Sequence, residues 1–350
     1  MADNENKTLI PEFIIYLNGP RLSVEKAADI QEIIINEKVD APSTFMISMS
    51  DMDRKWTDSD DLSEGSEIKI QLGYKDEVDE LMYGEITAIS PSYRKNSDDH
   101  VLIKGSNHLH RLVRAKKTRS FSNMTDNVIF NKIANEAGLH SDTEHIGVNH
   151  SFAVQRNQTD YEYLLSISKK YNCKLWSDNK CLYVKKIKEN SGEDIILEWG
   201  KTLLEFYPQL DTSNLITEVE TRGWDNKNRN TVIGKATIND ITQKIGGKTL
   251  GAAIVKKNFG DCKMTFLDDN IFDQKSADSA ALDIITHNSM SYISASGKTQ
   301  GNNKIRAGNI MELKELGGRF SGKYYVDSVK HHFSAKLGYS TSFNLVRNCV

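Results

Sequence analysis

Gly65-Ser-Glu-Ile68, Gly84-Glu-Ile86-Thr-Ala-Ile89 and Val101-Leu-Ile103-Lys-Gly105 read as glycine-led strand, loop, glycine-led alternating strand, loop and closing strand. The pattern returns near the C-terminus as Gly308-Asn-Ile310, Gly322-Lys-Tyr324-Tyr-Val326-Asp-Ser-Val329 and Thr341-Ser-Phe343-Asn-Leu345-Val346. A period of two places one face of each strand in a core and the other in water, and glycine supplies the turns. An alternating strand rich in Ile, Val and Glu precedes each copy at a distance: Ile30 to Ile35 in the first, Ile216 to Glu220 in the second. Two unrelated meander sheets would share part of this patterning. The preferred reading is a duplication: two similar small antiparallel β-barrels, the second interrupted by an insertion around residues 240–300. Two copies are too few for a solenoid or propeller.

Outward from these copies the chain remains mostly strand. Glu12 to Leu17, Phe45 to Met49, Ile68 to Leu72, Cys181 to Lys186 and Ile310 to Leu313 are short alternating runs bounded by turn residues. Three helices are expected. Val128 to Ala137 has helical spacing, follows Thr125-Asp126 and ends at Gly138. Thr159-Asp160 caps Tyr161 to Tyr171, with Tyr163, Leu164, Ile167 and Tyr171 on one stripe. The third is alanine-rich, from about Ser276 to Asn288. The five prolines all fall at or before Pro208, and no Ser/Gly/Pro-rich linker divides the chain, so its domains are expected to pack together.

The chain of 350 residues has room for two or three domains. With 45 Lys plus Arg against 48 Asp plus Glu, a net charge of −3 disfavours a nucleic-acid binder. No apolar run approaches the roughly 18 residues of a membrane helix. The polar start Met1-Ala-Asp-Asn-Glu-Asn-Lys7 lacks the layout of a secretory signal, so synthesis and folding in the cytoplasm are expected. Cys173, Cys181, Cys262 and Cys349 form no Cys-x-x-Cys pair, and read as small buried hydrophobes rather than a disulfide framework. Cys173 and Cys181 flank an expected turn, close enough in sequence to meet.

A search for chemistry returns little. Gly-Lys-Thr occurs at Gly200, Gly247 and Gly297, but the glycine a phosphate loop needs five residues earlier is Ile195, Thr242 and Tyr292. There is no Gly-x-Ser-x-Gly elbow and no His-Glu-x-x-His. His108-x-His110 and His331-His332 lack a third ligand by spacing, and Asp58-Ser-Asp60-Asp61 and Asp268-Asp269-Asn270 miss the calcium-loop pattern. No cofactor, metal or catalytic residue is nominated. One charge run stands out: Arg111, Arg114, Lys116, Lys117 and Arg119 put five cations in nine residues, a candidate interface rather than a nucleic-acid site.

Several ordered blocks then resemble the phage late-control D protein and the hub portion of VgrG proteins. They are Leu81-Met-Tyr-Gly84-Glu-Ile86-Thr, His110-Arg111-Leu112, Lys117-Thr118-Arg119-Ser-Phe121-Ser-Asn123-Met124-Thr125-Asp126, and Gln155-Arg-Asn157-Gln-Thr159-Asp160-Tyr-Glu-Tyr163-Leu164. Trp199-Gly200-Lys-Thr-Leu203, Glu218-Val219-Glu-Thr-Arg222-Gly223-Trp224, Arg306-Ala-Gly308, Leu316 to Val326 and Gly338-Tyr339-Ser-Thr341 follow in the family's order. The resemblance spans about residues 10 to 350 and places the basic cluster inside a family block, favouring packing or an interface over loose solvation.

What the resemblance implies is a mainly β tail-hub fold with an α+β insert. A first hub barrel would span 1–108 and an α+β domain 109–195. A second, discontinuous barrel would combine 196–245 with 301–350, and a helical/β insertion would take 246–300. It implies a non-enzymatic homotrimer, the baseplate hub of a contractile injection machine. Six near-equivalent modules around one axis would adapt a threefold spike to a sixfold tail tube or tube initiator. Because the chain stops at Val350, the spike or needle is expected to be a separate polypeptide. Other baseplate proteins would be further partners, with neither membrane insertion nor specific nucleic-acid binding, and the product would be assembled into a tail or injection particle. Two rivals differ in class: a peptidoglycan-degrading tail enzyme, and a receptor- or glycan-binding module that would expose an aromatic platform from Trp56, Trp176, Trp199 or Trp224.

Overall fold

Ile30-Gln-Glu-Ile-Ile-Ile-Asn-Glu-Lys38 is rich in β-branched side chains, which pack well on a pleated surface, and it forms a strand that buries Ile33 and Ile35 completely. In the computed structural model, which describes residues 10–350 apart from 94, 96–98, 145–148, 172, 187–194, 226–227, 268–270 and 272, this strand belongs to a six-stranded N-terminal half. The acidic run at 268–270 lies outside the described residues. The half comprises β1 (Pro11–Leu17), a short helix α1 (Val24–Ala27), β2 (Ile30–Lys38), β3 (Thr44–Ser50), β4 (Glu67–Tyr74), β5 (Glu77–Ser92) and β6 (His100–Asn107). Its strands lie in the order β1-β4-β5-β6-β3-β2, antiparallel throughout. Ile47, Ile70, Leu72 and Ile103 lie at the centre of its core.

The middle region has its own core, from Leu109 through Phe121, Phe130 and Leu164 to Val184. It contains β7 (Lys116–Thr125), α2 (Asp126–Glu136), β8 (His140–Thr143), β9 (Asn149–Thr159), α3 (Asp160–Lys170), β10 (Cys173–Asp178) and β11 (Cys181–Lys186). Both helices start where their caps dictate. The Thr125 hydroxyl accepts from the Val128 amide of α2, and Thr159 and Glu162 form a reciprocal capping box on α3.

The C-terminal half repeats the strand order of the first. It consists of β12 (Ile195–Glu198) and β13 (Leu203–Leu210), then, after an inserted region, β17 (Ile293–Gln300), β18 (Ile310–Lys314), β19 (Gly322–Ser334) and β20 (Gly338–Arg347). These pair as β12-β18-β19-β20-β17-β13, the order of the first half with β18, β19, β20, β17 and β13 standing for β4, β5, β6, β3 and β2. All those pairs are antiparallel in both halves, and only the outer pair differs, β12–β18 being parallel where β1–β4 is antiparallel. Each half has its own main core, the first also taking in Phe333 and Tyr339 of the second, and one ladder, Glu32–Lys38 of β2 against Ser328–Ser334 of β19, fuses them into a single 12-stranded sheet.

The inserted region departs from the sequence reading. Glu218–Asp225 (β14), expected to match β2, pairs instead with β15 (Asn230–Thr237) and, in parallel, with β16 (Lys263–Leu267), in a separate sheet. Helix α4 (Gly251–Phe259) was not anticipated, whereas α5 (Gln274–Ser289) realises the alanine-rich run. Close packing explains the separation. A Cβ on Gly234 would lie 2.2 Å from the Ala277 backbone, and one on Gly223 2.3 Å from the Ile271 carbonyl, so these glycines let α5 and its leading residue press onto the small sheet. The insertion therefore occupies 211–292, between the counterparts of β2 and β3, where the first half has only the turn 39–43. Ile293–Gln300, expected inside the insertion, is instead a strand of the large sheet.

Candidate functional site: a basic cluster and two open strand edges

The basic cluster begins one turn after β6. Arg111 Nε donates to Glu85 Oε2 at 3.0 Å and a second guanidinium nitrogen bonds the other carboxylate oxygen, while His110 Nε2 lies 2.7 Å from Oε2. Burial alone would raise the Glu85 pKa, but the Arg111 and His110 hydrogen bonds outweigh it and hold the group at about 2. Lys117 Nζ reaches Asp160 Oδ2 at 2.6 Å. Arg119 donates to Gln155 Oε1 and Asp160 Oδ1, both at 2.8 Å, and pairs with Glu136. Asp160 opens α3, where negative charge also complements the helix dipole. Arg111, Lys117 and Arg119 thus join the middle region to the first half and to its own helices. Arg114 and Lys116 are exposed and, among the described residues, have no ion pair.

The histidines are occupied by packing. His108 is buried edge-on to Tyr83, and burial lowers its pKa. His331 is fully buried, with Nδ1 2.8 Å from the Tyr339 hydroxyl and Nε2 3.1 Å from the Ile305 carbonyl, and burial with nearby Arg306 brings its pKa down to about 3. His332 pairs with Glu32 at 2.6 Å. Among the described residues, no three His, Cys, Asp or Glu side chains gather into a metal-binding group. Cys173 pairs with Lys186 and Cys181 with Asp178, so these two cysteines sit at opposite ends of the β10–β11 hairpin. Cys173 and Cys349 are buried and Cys262 is exposed. Trp56 is buried and donates to Asp29 at 2.8 Å, Trp176 stacks on Tyr183, and Trp199 and Trp224 are about half exposed.

A cleft of about 740 Å³ opens where the two halves and the middle region meet, lined by Glu37, Tyr83, Lys174, Trp176, Arg306 and Gly308 among others. Its floor is a clamp. Arg306 Nε donates to Glu37 Oε1 at 2.7 Å and its other nitrogens reach the Glu80 and Leu81 carbonyls at 3.2 Å, tying the loop before β18 to β2 and β5. Lys174 Nζ donates to the Ala307 carbonyl at 2.8 Å, and burial lowers its pKa. Gly308 (φ +88°) makes this approach feasible, since a Cβ there would lie 2.0 Å from Nζ. Lys174 Nζ lies over the Trp176 ring and Lys185 Nζ over the Tyr183 ring, 6.0 and 5.2 Å from the ring centroids.

The feature sequence reasoning missed is a pair of open edges. On β19, β18 covers one edge over Gly322–Tyr325 and β2 covers the same edge from Ser328 to Ser334. On β5, β4 covers the matching edge over Glu77–Glu85 and the Gly65–Ser66 backbone extends that cover to Ile86, and from Thr87 to Ser92 no strand follows it among the described residues. The counterpart of β2, β13, pairs with β17 on one side and, among the described residues, with no strand on the other. Leu204 and Tyr207 of β13 are 53% and 65% exposed. The sequence carried a signal in Pro91 and Pro208, because proline within a sheet favours an edge strand.

Comparison with known proteins follows from this geometry. The family model described as the Alg8 N-terminal domain matches residues 7–335. The chain belongs to that family. The match takes in the first half, the middle region, the insertion and the second half through β19, stopping just before β20. No curated protein matches this Alg8 N-terminal domain family member. Among solved structures it is similar to the 43 kDa tail protein of prophage MuSo2 from Shewanella oneidensis, at 13% identity and TM-score 0.72, covering 96% of this chain and 98% of that one. A tail protein from Neisseria meningitidis aligns at 11% identity and TM-score 0.71 over 97% of each chain. An Escherichia coli component of the type VI secretion system aligns at 9% identity and TM-score 0.61, over 95% of this chain and 76% of that one. The fold is therefore mainly β and shared with phage tail and secretion-system proteins.

Proposed function

We propose that this chain is the structural baseplate hub of a contractile injection machine, a non-enzymatic homotrimer that adapts a threefold spike to a sixfold tail tube. The observation that carries the reading is the repeated strand order with one junction filled and its equivalent empty. Within a chain, β2 of the first half lies on the distal edge of β19. The equivalent contact sets β13 of one copy on the distal edge of β5 in the next. Such a contact is heterologous, and with a rotation that closes after three chains it forms a ring of six modules, two halves from each chain. Pro91 and Pro208 each remove a ladder N–H. The contact between chains is therefore expected to rely more on side chains, Leu204 and Tyr207 first, than the β2–β19 ladder does. Similarity to tail proteins supports a setting in a tail or injection particle, where a spike and a tube or tube initiator would be the partners.

Light scattering tests this on the purified chain, alone and mixed with the spike protein of the same gene cluster. A threefold mass in either sample is expected. Leu204→Asp with Tyr207→Asp is expected to leave a folded monomer and to weaken assembly at least tenfold. A wild-type chain that stays monomeric in both samples refutes the ring. Loss of turbidity on cell-wall substrate, abolished by a single Asp or Glu substitution, would instead establish an enzyme.

A further inference from the structure

Besides its clamp, the cleft between the two halves and the middle region holds polar groups that the fold leaves without partners. Asn107, at the end of β6, is 8% exposed, yet its Oδ1 has no hydrogen-bond partner among the described residues. The Ser177 hydroxyl of β10 is likewise buried and unpartnered. Both residues line the cleft. A buried acceptor left unsatisfied costs free energy, which a ligand that brings a donor restores.

β10 contributes more than side chains. It is the outer strand of the sheet β10-β11-β8, so β11 covers one of its edges and, among the described residues, no strand covers the other. Residues 174–178 all line the cleft, those of both faces together, as happens when a strand turns its edge to a cavity. This run contains no proline, unlike the open edges of β5 and β13, and so keeps every backbone N–H. Residues 80–83 of β5 and the loop 306–309 form other walls.

The charge of the lining narrows the ligand. Four bases and five acids line the cleft, and Glu37 is already paired with Arg306, Glu80 with Lys69 and Lys185 with Asp142. Such a balance selects neither a polyanion nor a metal cation. What is left to be recognised by an amide oxygen, a hydroxyl and a strand edge is a chain of alternating N–H and C=O groups. A cleft of about 740 Å³ admits one extended chain, not the edge of a second folded sheet.

We propose that the cleft binds an extended peptide of a separate protein, which adds as a strand to β10 along residues 174–178 and donates a hydrogen bond to Asn107 Oδ1. Main-chain bonds to β10 supply the affinity, and Asn107 and Ser177 fix the register. All the walls belong to one chain, so the inference goes beyond the hub reading and stands whether or not the chain forms a ring.

The probe is a randomised ten-residue peptide library displayed on phage and panned on the immobilised full chain. Recovered peptides are synthesised, titrated by fluorescence anisotropy and footprinted by hydrogen exchange. Binding is expected to slow exchange of the amides at 174–178 at least tenfold. N-methylation of every other peptide amide, tried in both registers, is expected to weaken binding at least tenfold in one of them, an effect that side-chain contacts alone would not produce. Asn107→Leu keeps a similar volume and removes an acceptor that has no partner, so it should hold or raise the melting temperature while weakening binding at least tenfold. If that variant fails to fold, the footprint and the N-methyl series decide without it. Failure to recover any peptide, protection of a different strand edge, indifference to N-methylation in both registers, or unchanged affinity in a folded Asn107→Leu variant would each overturn the proposal. So would protection of β10 by a chito-oligosaccharide and not by peptide, which assigns the cleft to a glycan, or protection that grows with protein concentration alone, which assigns it to a second copy.

Discussion

The first and second halves of the large sheet reach the same strand order with different residues. In the first, Phe45 on β3 faces Gly105 on β6, and in the second, Gly297 on β17 faces Phe343 on β20. The ring and the glycine have exchanged strands. A Cβ on Gly105 would come within 2.2 Å of the Phe45 ring, and one on Gly297 within 2.5 Å of the Phe343 ring. Each pair fills one slot with one large and one absent side chain, so total volume is kept while position is not. The two halves thus agree in strand order and in the volume of this pair, not in residue identity.

The sharpest way to break this comparison is to empty each slot in turn. Phe45→Ala and Phe343→Ala each remove a buried ring and should each cost about 3–5 kcal/mol, by the cavity arithmetic of core truncations. Because β2–β19 makes one sheet of the two halves, urea unfolding followed by circular dichroism and by tryptophan fluorescence should shift as a single transition for both variants. Two separated transitions, each sensitive to one substitution, would show that the halves fold independently.

The clamp between halves ranks next. Glu37 is buried, and Arg306 is its ion-pair partner. Arg306→Ala leaves that carboxylate unpaired in the interior and should cost about 3 kcal/mol, read from the guanidinium midpoint. Glu37→Gln with Arg306→Met should recover part of the loss. A single Arg306→Ala variant as stable as wild type would mean that β2–β19 pairing alone joins the halves.

Acid separates the two regions by a smaller amount. Glu85 anchors the middle region to the first half with its pKa depressed to about 2, so its stabilising contribution is present above the unfolded carboxylate range and is lost as pH falls through about 2. His331, buried neutral in the second half with a pKa of about 3, costs stability as soon as pH falls below the unfolded histidine value near 6.5, because the unfolded chain then binds a proton the folded chain refuses. Stability should therefore decline from about pH 6.5 down to about pH 3 through His331, joined below about pH 4.5 by the loss through Glu85. Glu85→Gln should reduce the loss below about pH 4.5 by about 2 kcal/mol and leave the decline between about pH 6.5 and 4.5 unchanged. An unchanged profile would show that Arg111 and His110 do not act on Glu85 as their geometry indicates.

How much of this was legible in the sequence varies with the range of the interaction. Local rules located α2, α3 and α5 from Thr125, Thr159 and the alanine spacing, because caps and helical stripes are read within one or two turns. The glycine-led strands β4, β5, β18 and β19 were visible for the same reason. The choice of β14 over β13 as the counterpart of β2 went wrong because Glu218 to Asp225 alternates better than Leu203 to Leu210, where Pro208 and Leu204 blur the period. Which sheet a strand joins is decided by distant partners, here α5 pressing on Gly234, and alternation carries no information about that. The open edges were beyond the sequence for a related reason. A missing partner is a property of the assembled sheet, and only Pro91 and Pro208 hinted at it.

The five-cation run supplies the smallest expected effect and the finest division between packing and surface. Sequence treats Arg111, Arg114, Lys116, Lys117 and Arg119 alike, but three of them meet carboxylates and two project into solvent. Exposed charges without partners contribute little to stability, so Arg114→Ala with Lys116→Ala should shift stability by less than about 0.5 kcal/mol. Arg119→Ala should cost several times more, because it strips Asp160 and Gln155 of a shared donor at the start of α3. Thermal unfolding of the two variants measures the split directly. If Arg114 and Lys116 instead serve a partner, charge reversal at both should leave the melting temperature in place while lowering affinity for the spike protein, most steeply at low salt, where exposed charges are least screened. Equal stability losses from the exposed pair and from Arg119 would return all five cations to a single structural role.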